Sequence, residues 1–199
     1  MAAEQICLAS GSRARAELLR GAGLNISVRP SGVDEDFLKA QMAAQGSPLG
    51  DTALRLSEAK ALRVAEEMPG LVIGADQIIG LDGRRFDKPT SVEEARENLT
   101  ALRGRVHTLF TAACVVSGKE ILWRTLATPQ VSMRSWSPAA LDAHIAAEGE
   151  DVCATVGGYK LEGRGVQLIE AVRGDYFAIL GLPLLELLGF LRERGLIDP

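Results

Sequence analysis

The sequence predicts an α/β fold built on a mixed β-sheet, and three observations carry that prediction. Short apolar runs such as "QICLA" and "LVIGA" alternate with longer segments whose apolar residues recur at helical spacing. The stretch "TLFTAACVVSGKEILWRTLATPQVSM" turns back on itself at "SGKE" and reads as a long antiparallel hairpin. Finally, the 199 residues are 47% hydrophobic and show no repeat, low-complexity stretch or linker, enough for one full core or for two small lobes around a cleft.

The elements follow in order. "QICLA" is a buried strand, and residues 13–22 are a helix with Leu18 and Leu19 inward and "GAG" as its stop. "ISVRP" is a second strand and "SGVDEDF" a loop. Asp51 caps a helix running to about Met68, with Leu54, Ala61, Leu62 and Ala65 near one face. "LVIGA" and "QIIGL" form one strand, ended by the Asp-Gly turn of "LDGRR". Ser91 and Glu94 fit a capping box ahead of a helix carrying Ala95, Leu99 and Leu102. After the hairpin, "SPAALDAHIAAEG" has serine at the cap, proline at the first helical position and glycine at the end. "GVQLIEAV" and "YFAIL" are two more strands. "GLPLLELLGFLRERG" closes the chain as a helix with Leu184, Leu187, Leu188 and Leu191 on one stripe.

Composition excludes several classes. The net charge is −4 and the pI about 5.3, so the chain is no general nucleic-acid or anionic-membrane binder, and an anionic ligand needs a local cluster of positive charge. No apolar run is long enough to span a membrane, and "MAAEQICLAS" carries an acid and no basic leader region. The cytoplasm is the expected compartment. Cys7, Cys114 and Cys153 lack metal-type spacing and read as small core residues. Neither a phosphate-binding P-loop nor a dinucleotide fingerprint is present, and His107 and His144 are too few for a histidine metal site. Trp123 and Trp136 read as core or dimer-interface residues.

Two stretches carry chemistry. In "LASGSRARAELL", Ser10, Ser12, Arg13 and Arg15 fall where a strand turns into a helix. Free N–H groups, the positive helix end, hydroxyls and a guanidinium together make an anion cradle there. The plainer reading is that a serine caps the helix and the arginines are solvated. In "LVIGADQIIGLDGRRFDKP", Asp76 follows an apolar strand directly, where a carboxylate costs free energy unless paired or metal-bound. Lys88 stands before Pro89, and Lys60 lies in "LRLSEAKA" after the acidic loop "VDED". Asp34, Glu35 and Asp76 offer oxygen ligands to a hard cation, while Arg15, Lys60 and Lys88 could neutralise phosphate oxygens.

These residues stand in an order that resembles the Maf family of nucleoside triphosphate pyrophosphatases. The matching stretches are "LASGSRARAELL", "VDE" (33–35), "RLSEAKA" (55–61), "VIGADQ" (72–77), "DKP" (87–89), "GRVHTLFTA" (104–112), "GGYKLEGRG" (157–165) and "GDYFAILGLPL" (174–184). The resemblance implies an elongated mixed-sheet fold similar to inosine triphosphatase, often dimeric. It implies hydrolysis of a nucleoside triphosphate to the monophosphate and pyrophosphate with a divalent cation, Mg2+ or Mn2+, a house-cleaning role that removes modified nucleotides. By resemblance the catalytic acid is Asp76 and the phosphate-side lysines are Lys60 and Lys88. The serines are Ser10 and Ser12, the arginine Arg15 and the loop acid Glu35, with Asp76 and Glu35 as metal ligands. Asp76 would bind the cation or orient the attacking water.

The chain departs from the family where P-R-R is replaced by Arg13-Ala14-Arg15. Three positions separate the family's substrate groups, and they fall on Ala14, Gln77 and Glu162. Members acting on dTTP and UTP resemble Arg, Thr and Gln there; members acting on 7-methyl-GTP resemble Trp, Gln and Glu. Gln77 and Glu162 follow the second group and Ala14 follows neither. Chemistry points the same way, because a carboxylate only accepts hydrogen bonds and guanine's pairing edge presents two donors. The expected preference is 7-methyl-GTP or another modified purine nucleotide. The competing reading is a non-catalytic nucleotide-binding regulator of cell division, and the retention of Asp76, Lys60, Lys88 and Arg15 favours the enzyme.

Overall fold

A computed structural model describes residues 5–198 of the chain. The first four residues, part of the stretch that reads as lacking a leader, lie outside it. The elements are β1 (Ile6–Leu8), α1 (Arg13–Gly21), β2 (Ile26–Val28), α2 (Glu35–Ala44), α3 (Leu49–Ala65), β3 (Leu71–Leu81), β4 (Arg84–Phe86) and α4 (Val92–Leu102). They continue as β5 (Val106–Ser117), β6 (Glu120–Ala127), β7 (Gln130–Met133), α5 (Pro138–Glu148), β8 (Ile169–Arg173), α6 (Tyr176–Ile179) and α7 (Leu184–Glu193). The eight strands form one mixed sheet in the order β2-β1-β3-β5-β7-β8, with β4 paired to β3 and β6 to β5. This is the α/β class expected. Among the described residues no helix is long and apolar enough to cross a membrane.

The chain divides into two compact units. Among the described residues, one holds 5–77, Thr111–Ala127 and 181–198; the other holds Ile78–Phe110 and Thr128–Leu180. In the first unit β1 lies between β2 and β3 and is parallel to both, with Cys7 opposite Ser27 and Val72. Parallel neighbours need crossovers, which α1 and the α2–α3 pair supply. Cys7, Ala9, Ala61, Val64, Val72, Cys114 and Val116 pack between α3 and the sheet. Trp123 stacks on Phe190 in this unit, ring centroids 5.6 Å apart.

In the second unit β4 returns antiparallel to β3 through Asp82-Gly83, both with positive φ (50° and 78°), the type I′ turn that an Asp-Gly pair favours. Leu99 and Leu102 of α4 are fully buried against Ile79, Phe86, Met133 and Trp136. Burying each such leucine contributes roughly 1.5–3 kcal/mol. The Ser91 hydroxyl accepts from Glu94 N–H at 3.2 Å. The Glu94 carboxylate, however, reaches back to Thr90 N–H at 2.8 Å, one residue earlier than an ordinary capping box. At α5 the cap is as expected: Ser137 accepts from Ala140 N–H, Pro138 opens the helix and Gly149 ends it with φ 56°.

Several expectations are corrected. "SGVDEDF" is not all loop: Asp34 Oδ1 accepts from Phe37 N–H at 2.9 Å and starts α2. That helix buries no residue, so it leaves no apolar stripe in the sequence. The next helix starts at Leu49 behind Pro48, with Asp51 inside its first turn, where its charge suits the helix dipole without capping, and it ends at Ala65. Its buried face runs through Ala53, Leu56, Ser57, Lys60, Ala61 and Val64, leaving Leu54 and Leu62 half-buried. Leu18 of α1 is likewise half-buried.

The second arm of the hairpin is two strands. β6 pairs the far half of β5, and after Pro129 β7 pairs its near half, Val106–Thr108. Only the second half of "GVQLIEAV" is strand: Ile169–Val172 belong to β8, while Gly165–Leu168 lie in a tight 3-10 turn over Arg164–Leu168. "YFAIL" is the helical turn α6, capped by Asp175 Oδ1 accepting from Phe177 N–H at 2.9 Å. Short apolar runs fit a strand or a buried helical turn equally, and here the cap decides.

Candidate active site

The centre forms in the first unit at the end of β1 and along β3. Ala9 N–H donates to Ile73 carbonyl at 2.8 Å, carrying the β1–β3 ladder one residue past the strand before the chain turns through Ser10-Gly11-Ser12. Ser12 caps α1: its hydroxyl accepts from Arg15 N–H at 3.4 Å, and its own N–H donates to Ser10 Oγ at 3.2 Å. Ser10 is buried. Arg15 is far from solvated. It donates from Nη1 to Ser10 Oγ at 3.1 Å and to Ala75 carbonyl at 2.9 Å, and from Nε to Gly181 carbonyl at 2.8 Å. A planar guanidinium can serve all of these at once. Arg15 therefore braces the serine turn, the middle of β3 and the turn before α7.

Asp76 does not follow the strand but lies in the middle of β3, because the apolar run continues through Ile78–Leu81, and it is 5% exposed. Lys60 from the buried face of α3 is 6% exposed. Lys60 Nζ lies 2.6 Å from Asp76 Oδ1 and 2.8 Å from Glu35 Oε1. Glu35, in the first turn of α2, is half-exposed. One ammonium thus bridges two carboxylates. Burial pushes the Asp76 carboxyl above the usual carboxylate range, against the pull of Lys60 and Arg15 and with a smaller push from Glu35. Burial also lowers the Arg15 guanidinium, opposed by the charges of Asp76 and Glu35.

The register that makes this contact depends on Gly74. A Cβ there would stand 2.1 Å from the Ser57 carbonyl and 2.8 Å from Ala61 Cβ. α3 lies directly on the backbone of β3 at that point, and Lys60, one turn along, reaches Asp76. Gly74 is a functional position beyond those expected from the sequence; its one signal there is a glycine inside an apolar strand, the usual sign of close backbone approach.

The remaining expected residues have varied settings. Arg13 is on the surface, 2.7 Å from Glu17 one helical turn away. Ala14 is half-buried on α1. Gln77 Nε2 donates to Thr111 Oγ1 at 2.9 Å. Asp34 serves as the α2 cap. Lys88 and Glu162 belong to the second unit, both exposed, Lys88 just before the buried Pro89. Both histidines are buried: His107 Nε2 lies 2.6 Å from Tyr159 Oη, and His144 Nε2 lies 3.3 Å from Gly158 carbonyl. Trp136 belongs to the core of the second unit.

A mixed-sheet α/β protein with a lysine-bridged acid pair beside an arginine-braced serine turn has the layout of a protein that handles a small anionic ligand. More particularly, a family model described as Maf-like protein matches residues 5–194, and the chain belongs to that family. It is 45% identical over 196 residues to a 7-methyl-GTP pyrophosphatase of Mesorhizobium japonicum, covering 98% of each chain. It is 44% identical over 194 residues to a 7-methyl-GTP pyrophosphatase of Rhizobium meliloti, covering 97% of this chain and 98% of the other. To a nucleoside triphosphate pyrophosphatase of Caulobacter vibrioides it is 45% identical over 195 residues, again covering 98% of each.

Proposed function

We propose that this chain hydrolyses nucleoside triphosphates to the monophosphate and pyrophosphate, with 7-methyl-GTP or a related modified purine nucleotide as preferred substrate. The observation that carries the reading is Lys60 held 2.6 Å from Asp76 and 2.8 Å from Glu35 in a largely buried setting. Asp76, made more basic by burial, is the group to take a proton from attacking water. Lys60 fixes both carboxylates and brings positive charge beside Asp76, where it would offset the negative charge that develops on phosphate oxygens. The Ser10–Ser12 turn and the N-terminus of α1 supply hydroxyls and N–H groups of the kind that hold phosphate.

Asp76 and Glu35 suit Mg2+ or Mn2+, which takes one or two carboxylates and completes its shell with water and substrate phosphates. Among the described residues no group of three or more His, Cys, Asp or Glu stands ready to hold a metal, so the donor set fits an ion that arrives with the nucleotide. When bound, such an ion neutralises phosphate charge and polarises the phosphorus centre. The base preference rests on the residue types in the sequence: glutamate at 162, an acceptor suited to guanine donors, and glutamine at 77.

The test is pyrophosphate release with Mg2+ or Mn2+ across the common triphosphates, dTTP, UTP and 7-methyl-GTP. Selective turnover of 7-methyl-GTP, abolished in Asp76→Asn with an unchanged circular dichroism spectrum, supports the reading. Turnover confined to dTTP and UTP overturns the preference. Turnover of nothing on the panel leaves a nucleotide-binding regulator.

A further inference from the structure

Only two histidines occur in the chain, and both are buried and directed at adjacent residues of one segment. His107, from β5, meets the Tyr159 hydroxyl at 2.6 Å; His144, from α5, meets the Gly158 carbonyl at 3.3 Å. The segment they grip is tightly wound. Thr155 Oγ1 donates to Tyr159 carbonyl at 2.9 Å, and Gly163 N–H donates to Lys160 carbonyl at 3.3 Å. A Cβ on Gly157 would stand 2.4 Å from the Tyr159 ring, and one on Gly165 would stand 2.5 Å from Lys160 N and 2.9 Å from Tyr159 Cβ. The backbone therefore passes close to the Tyr159 ring at Gly157 and close to the Tyr159–Lys160 backbone at Gly165. Glu162 sits exposed in the same segment, between the bonded residues Lys160 and Gly163.

The His107–Tyr159 pair costs free energy that an apolar pair of similar shape would not. His107 Nδ1 is buried and has no hydrogen-bond partner among the described residues. If Tyr159 donates to Nε2, the orphan is an N–H; if Nε2–H donates to Tyr159, the orphan is a bare lone pair and the phenol proton must point elsewhere. Phenylalanine and leucine would fill the same space with nothing unsatisfied. A buried polar contact kept at such a cost fixes one geometry, since only one ring orientation makes the bond. The rings meet edge-on, centroids 5.7 Å apart at 66°, which restrains the same motion.

We infer that Tyr159 is a positioning residue for base selection: its bond to His107, with the His144 clamp on Gly158, sets the placement of Glu162. This rests on the proposed preference for a guanine-type nucleotide. Glu162 lies on an exposed turn with no rigid element of its own, so its precision comes from where Tyr159 is anchored.

The experiment measures kcat and KM for 7-methyl-GTP and dTTP in wild type, Glu162→Gln, Tyr159→Phe, His107→Leu and His107→Gln, each with a thermal melt. Tyr159→Phe is expected to raise KM for 7-methyl-GTP about tenfold while kcat moves less than about twofold, lowering selectivity in the same direction as Glu162→Gln. His107→Leu should follow it, and His107→Gln, whose amide can still bond the phenol, should recover most of the selectivity. Loss of kcat and melting temperature together, with the selectivity ratio kept, makes the pair a plain core contact and overturns the inference. Selectivity lost in Glu162→Gln but kept in Tyr159→Phe and His107→Leu overturns the inference alone. A wild type that does not prefer 7-methyl-GTP, or a Glu162→Gln variant that keeps the preference, overturns the base-selection reading and the inference with it.

Discussion

Replacing Gly74 with alanine tests how the acid–lysine centre is held together. The new Cβ would stand 2.1 Å from the Ser57 carbonyl, 2.8 Å from Ala61 Cβ and 3.1 Å from Cys114 Sγ. The first of these is helix backbone and cannot rotate away. Restoring an ordinary contact of about 3.4 Å requires α3 to back off β3 by about 1.3 Å. Lys60 rides on that helix, and its 2.6 Å bond to Asp76 would stretch past hydrogen-bond reach. Overpacking of this kind costs roughly 1–3 kcal/mol, and a misplacement near 1 Å costs on the order of a hundredfold in rate. The assay is pyrophosphate release from 7-methyl-GTP, with thermal melting alongside. The control is Gly189→Ala in α7, where nothing lies within 4 Å of the added methyl. That change should be neutral or stabilising by up to about 1 kcal/mol. Gly74→Ala is expected to lose both rate and melting temperature. Wild-type values of both would refute the claim that α3 must touch β3 at Gly74 for Lys60 to reach Asp76.

Two other outcomes follow from single residues. Arg15→Lys keeps a positive charge but cannot serve Ser10, Ala75 carbonyl and Gly181 carbonyl together, so urea unfolding should show a loss of roughly 1–3 kcal/mol; an unchanged midpoint would mean that Arg15 is no brace. Burial lowers the His107 pKa to about 4 from an ordinary 6.5. A base with a depressed folded pKa contributes stability that is complete above the unfolded pKa and drains away as pH falls between the two, here from about 6.5 down to about 4, by at most about 3 kcal/mol. The stability of the wild type relative to His107→Gln should therefore decline across that window; parallel pH curves would show that His107 is not held neutral.

How much was legible in the sequence differs from element to element. Elements with their own local chemistry were readable: the Asp82-Gly83 turn, the Ser137-Pro138 helix start and the Leu184–Leu191 stripe each carry their cause within a few residues. α2 leaves no signature in the sequence because it buries nothing, and α6 resembles a strand because a short apolar run does not declare its period. The hairpin was read as one partner strand, yet β5 is long enough to take two, and Pro129 separates them.

The candidate site divides along the same line. The sequence by itself determined which groups the chain owns: a carboxylate in a long apolar stretch, serines and Arg15 at a strand-to-helix turn, Lys60 on a helix, and the Gln77 and Glu162 pattern. Residue type and neighbours within one turn settle those. Only the tertiary structure decided which group engages which. Arg15 reaches carbonyls 60 and 166 residues away, Lys60 takes two carboxylates at once, and both histidines close on one segment. Such partners depend on how helices seat against the sheet; a glycine such as Gly74 inside an apolar strand marks a close approach, but not which helix makes it or which side chain that helix then brings within reach.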